Sequence, residues 1–109
     1  MSVKTISYCE VIYLKEDAVL RLGSSYSMEI FYQYKNQVRE FEASLVRQNS
    51  KLSCLFRDEK GEPGEKRILN YGEDVWIEGL CLFFLGKYLV LYSMYGNLRV
   101  NCRNRRILS

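Results

Sequence analysis

A chain of 109 residues, 48% apolar and 27% charged, has the length of one domain and apolar content enough for a single modest core, which excludes a disordered polymer. A formal charge of +3 is too small to imply nucleic acid or an anionic membrane as partner. No segment reaches the ~20 unbroken apolar residues of a spanning helix, and Met1-Ser2-Val3-Lys4-Thr5 lacks the apolar stretch of a signal peptide. A cytoplasmic location is the expectation.

In chain order, Val3 to Leu14 alternates loosely and predicts one or two strands, with a turn at Lys15-Glu16-Asp17. Ala18 to Leu22 is the next strand, stopped by Gly23-Ser24-Ser25. Ser27 to Tyr34 is aromatic and β-branched, hence extended, and Lys35-Asn36-Gln37 is a polar loop. Phe41 to Arg47 and Lys51 to Phe56 form a hairpin about Gln48-Asn49-Ser50, with Leu52, Cys54 and Phe56 on one face. Arg57 to Lys66 is the most polar stretch, holds the single proline and reads as a loop before a short strand at Arg67 to Leu69.

The run Gly72 to Tyr92 is the most informative. Val75 to Ile77, Cys81 to Leu85 and Tyr88 to Tyr92 are strands separated by Glu78-Gly79 and Gly86-Lys87. A helix there would carry three glycines and no polar face. After a turn at Tyr95-Gly96-Asn97, Leu98 to Cys102 ends the domain (1–102), and 103–109 is a basic tail or linker. Short strands with frequent turn signals describe an all-β sandwich or barrel with minimal helix.

The chain has no histidine, which removes Ser-His-Asp and Cys-His catalysis and histidine metal sites. Most of its carboxylates stand in turns such as Glu16-Asp17, Asp58-Glu59 and Glu73-Asp74, and no phosphate-cradling G-x-x-x-x-G-K-[ST] loop exists. Cys9, Cys54, Cys81 and Cys102 form no C-x-x-C pair and are expected to be buried free thiols. A non-enzymatic protein with no cofactor and no metal follows. Aromatics interleave poorly with basic residues, and Arg99, Arg103, Arg105 and Arg106 form the only basic cluster, so a nucleic-acid-binding β-domain is an alternative and not the main reading.

Ala18-Val19-Leu20-Arg21-Leu22-Gly23 resembles the second-strand motif of forkhead-associated (FHA) domains, and Leu69 to Gly79 resembles their late turn-strand motif. The pair Leu80 to Tyr92 is similar to the strands that finish that sandwich. The resemblance implies an FHA-like β-sandwich of two twisted, mostly antiparallel sheets. More narrowly, Val75 to Leu80 followed by an apolar strand and a Gly-Lys turn is similar to the amino-terminal FHA-like modules of FtsK/SpoIIIE-type ATPases of Gram-positive type VII secretion systems. This implies a parent protein anchored in the plasma membrane, with the module on its cytoplasmic face and a pseudokinase-like membrane subunit as partner.

The phosphothreonine chemistry of such domains is missing. Ser24 stands where an arginine would follow the second-strand glycine, the Ser-x-x-His motif is impossible without histidine, and Lys60-Gly61 is all that stands for an Asn-Gly turn. The expectation is a phospho-independent protein-protein interaction module. Its docking loops would be Gly23–Ser27, Tyr34–Glu40, Gln48–Lys51 and Arg57–Lys66, with Ser24, Ser25, Arg39, Arg47, Asn49 and Lys60 as candidate binding residues. The alternative keeps phosphothreonine-peptide binding through non-standard ligands among Ser24, Ser25, Arg39 and Arg47.

Overall fold

The computed structural model describes residues 4–6, 9–14, 17–23, 26–47 and 50–104. Among them there is no helix. Eleven strands follow one another: β1 (Lys4–Ile6), β2 (Cys9–Leu14), β3 (Asp17–Arg21), β4 (Tyr26–Tyr34), β5 (Gln37–Val46), β6 (Lys51–Arg57), β7 (Pro63–Asn70), β8 (Asp74–Ile77), β9 (Leu80–Phe84), β10 (Tyr88–Ser93) and β11 (Arg99–Asn104). They form a sheet of order β1-β2-β3-β10-β9-β8 and a second of order β11-β4-β5-β6-β7. Every pairing is antiparallel. The protein is a β-sandwich.

Period-two alternation builds the core. In β9, Leu80, Leu82 and Phe84 are buried while Cys81 and Phe83 face outward, and in β6 Leu52, Cys54 and Phe56 turn inward as the pattern predicts. Inner faces of both sheets merge into one cluster that includes Leu20, Ile30, Phe41, Leu89 and Leu91. Phe41 stacks on Phe56 at 4.9 Å and lies tilted at 6.2 Å from Tyr32, so an aromatic column runs along the five-stranded sheet. Each such side chain contributes roughly 1.5–3 kcal/mol by leaving water.

Three expectations change. The polar stretch after Arg57 is a loop only from Asp58 to Glu62, because β7 begins at Pro63. Pro63 opens an edge strand, where its missing N–H costs no ladder bond, and Glu65, Lys66 and Arg67 on that strand discourage pairing with other chains. Likewise β5 starts at Gln37, which pairs with Tyr34 across a two-residue turn of Lys35 (φ 54°) and Asn36. Finally, the cysteines are not all buried free thiols: Cys54 is free and buried, Cys81 is free but only partly buried on the outward face of β9, and Cys102 is in a disulfide. That bond depends on which strands the topology makes neighbours, which spacing along the chain does not reveal. Cys54 sits in the core, where burial pushes its thiol up to about 12.

The connections divide between two ends. At one lie the Lys35-Asn36 turn, the Asp58–Glu62 loop, the Glu78-Gly79 turn and the chain from Met94 to Leu98, tied together by contacts such as Met94 N–H to the Gly79 carbonyl (2.8 Å). At the other lie Arg47, Gly86-Lys87 and the turn after Asn70, where the Leu22 N–H donates to the Lys87 carbonyl (2.7 Å) and the Gly72 N–H to the Phe84 carbonyl (2.8 Å).

Candidate functional site

Ile77 pairs with Leu80, so Glu78 and Gly79 alone make the turn, and both have positive φ, 51° and 76°. That is the hairpin geometry usually served by Asn-Gly. A glutamate in this conformation costs roughly 1–2 kcal/mol, and its carboxylate supplies the compensation. Tyr32 Oη donates to Glu78 Oε1 (2.5 Å), and Arg39 Nη1 meets Glu78 Oε2 at 2.8 Å. Tyr32 and Arg39 are register partners on β4 and β5, so the turn of one sheet is clamped to the inner face of the other. Arg39 Nη2 also donates to the Arg57 carbonyl (3.2 Å), while its buried Nε has no partner among the described residues. Burial, and then the bond to Glu78, hold the Tyr32 phenol well above its usual range.

Of the candidate residues that are described, Arg39 and Lys60 come together and Arg47 lies apart. Ser24, Ser25 and Asn49 lie outside the described residues. Arg47 is exposed at φ 52° in the turn where its carbonyl accepts from Ser50 Oγ (2.7 Å), at the end opposite Arg39 and Lys60. Arg39 and Lys60 line one groove of about 330 Å³, joined by Arg57 and Arg99 and opposed by Glu40, Asp58 and Glu59. The Asp58 carboxylate is already committed, accepting from the Lys60 and Glu62 N–H groups at 2.9 Å each. Arg39 holds the fold together, so it is a poor ligand for an external anion.

A different surface is open. On the outer face of the six-stranded sheet, the register sets Asp17, Tyr92, Cys81 and Trp76 in one row and Val19, Val90, Phe83 and Asp74 in the next. Trp76 is 62% exposed and Tyr92 42%, their rings meeting edge-on at 6.4 Å. Met94 (66%) and Tyr95 (39%) extend this surface onto the sandwich end. Tyr95 lies over Gly79, where an added Cβ would come within 2.9 Å of its ring, and stands edge-on to Tyr34 at 5.8 Å. The Cys81 thiol is raised by burial and by the Asp74 carboxylate, whose field therefore reaches the middle of the aromatic row. Asp17 and Asp74 are exposed and enter no ion pair among the described residues.

Loop reasoning missed this face. The signal was the alternation of Asp74-Val75-Trp76-Ile77, in which Val75 and Ile77 pack against the core and Trp76 must point the other way. Comparison with protein-family models, with characterised proteins and with solved structures finds no match.

Proposed function

We propose that this sandwich is a non-catalytic, phospho-independent protein-interaction module that docks through the outer face of its six-stranded sheet. The observation that carries the reading is the exposed Trp76–Tyr92 pair with Met94 and Tyr95 beside it. Aromatic residues and methionine are the types that anchor interface centres, and solvent-exposed rings in contact with one another suit such a role. Arg39, one of the candidate phosphate ligands, is paired with Glu78, which supports phospho-independence. The FHA-like resemblance extends the proposal: the module would serve the cytoplasmic face of a type VII secretion ATPase and meet another membrane subunit of that apparatus.

Calorimetric titration with a phosphothreonine peptide library and unphosphorylated controls tests the reading. No phosphate-dependent binding tighter than ~10 µM is expected. Tighter binding that disappears with the phosphate overturns it. The secretion assignment stands or falls separately, on whether the full gene product carries membrane helices and P-loop ATPase motifs.

A further inference from the structure

The aromatic face is not neutral. Asp17 is the register partner of Tyr92, at one margin of the row that ends in Trp76. Asp74 lies two residues before Trp76 on the edge strand β8, on the same face, and its charge is felt by Cys81 in the centre of the row. With strands ~4.8 Å apart, the two carboxylates stand at opposite margins of a patch roughly 14 Å across. Of the described side chains on this face, Arg21 is the one cation, and it is placed beside Tyr88 at the far end of β10. Electron-rich ring faces beside carboxylates suit a cation, and tryptophan is the strongest ring partner.

Resting on the docking face proposed above, we infer that its partner is a protein segment presenting arginine or lysine side chains. A guanidinium or ammonium group stacks on Trp76 and Tyr92 while Asp17 or Asp74 accepts its hydrogen bonds. Its aliphatic stem covers Phe83 and Val90, as long basic side chains do on apolar surface. An acidic segment would set carboxylates against Asp17 and Asp74. An apolar segment would leave both acids desolvated without a partner.

Random peptides displayed on phage and selected on the wild-type domain, with counter-selection on Trp76→Ala, test the inference. Enrichment of arginine and lysine in the Trp76-dependent pool is the expected result. A Trp76-dependent pool rich in apolar or acidic residues overturns the basic partner and leaves the docking face standing. A selection with no Trp76-dependent pool overturns the docking face itself.

Trp76 is the single tryptophan of the chain, so its fluorescence then reports directly on a synthetic peptide from the enriched pool. Affinity should fall between about 50 and about 200 mM salt. It should fall roughly fivefold in the Asp17→Asn/Asp74→Asn double variant. Equal affinity in that variant overturns the role of the acids. Because both residues are exposed, circular dichroism should show a wild-type fold for each variant. Saturation that depends on protein concentration would show a second copy as the occupant, and would overturn the inference.

Discussion

Two clusters of aromatic rings and charges lie near the same end of this sandwich, and they have opposite characters. In one, Tyr32, Arg39 and Glu78 satisfy each other: each carboxylate oxygen is occupied, and tyrosine and guanidinium are held on the inner faces. In the other, Trp76 and Tyr92 present their rings to solvent, with Asp17 and Asp74 beside them and no ion pair to either among the described residues. Residue type does not separate the two clusters. What separates them is whether the fold has already used the interactions those residues can make. The first cluster stabilises the sandwich, and the second remains available to a partner.

The largest expected effect breaks the closed cluster. Glu78→Ala leaves the Tyr32 hydroxyl without its acceptor and, among the described residues, the Arg39 guanidinium with the Arg57 carbonyl alone. It should lower unfolding free energy by about 2–4 kcal/mol. Urea denaturation measures this, and a loss under about 1 kcal/mol would mean the clamp is ornamental. Replacing both charged partners, as in Arg39→Met/Glu78→Leu, should recover part of the loss, since no buried charge is then left alone.

A second effect, graded with pH, comes from proton linkage. Cys54 gives up its proton in the unfolded chain from its ordinary value of 9.0, whereas in the fold it holds it to about 12. Tyr32 behaves likewise, ionising from 10.0 upward when unfolded and only at higher pH when folded. Above these values the unfolded state binds fewer protons than the native one, so stability falls as pH rises. The stabilising difference is fully present below pH 9.0 and declines above it, at up to ~1.4 kcal/mol per pH unit for each group. Urea midpoints measured from neutral pH to about pH 11 should therefore decline. Tyr32→Phe should flatten the part above 10.0, and Cys54→Ala the part that begins at 9.0. An unchanged slope in both variants would contradict the assignment.

The contrast also explains what the chain disclosed before folding. Leu52, Cys54 and Phe56 announced an inward face, and Gly79 and Gly86 marked turns, because alternation and glycine are local signals. β7 was obscured because an edge strand covered on few sides can be as polar as Pro63-Gly64-Glu65-Lys66-Arg67. The Glu78 clamp was illegible for another reason: its partner Tyr32 lies 46 residues away, and only sheet stacking joins them. The Cys102 disulfide was hidden in the same way. The open aromatic row was half legible, since alternation put Trp76 outside, but its neighbours Tyr92 and Asp17 come from the register of two other strand pairs.

The smallest expected effect concerns the open cluster, where a null result on stability is informative. Trp76→Ala removes a ring that is mostly in water and Tyr92→Ala one that is about half covered on the outer face, so the burial lost is modest and the edge-on contact between them goes with it. Thermal unfolding of each should differ from wild type by under about 1 kcal/mol. The other sheet provides the control. There Arg99 lies 4.7 Å from the Phe31 ring, and Arg99→Ala removes an exposed cation–π contact of ~0.5–1 kcal/mol. Both sets of variants should therefore be similarly mild in stability, while only the Trp76 and Tyr92 changes abolish partner binding. If Trp76→Ala instead costs as much as Glu78→Ala, the exposed ring is a structural element of the β8 edge. The distinction between a closed and an open cluster would then collapse.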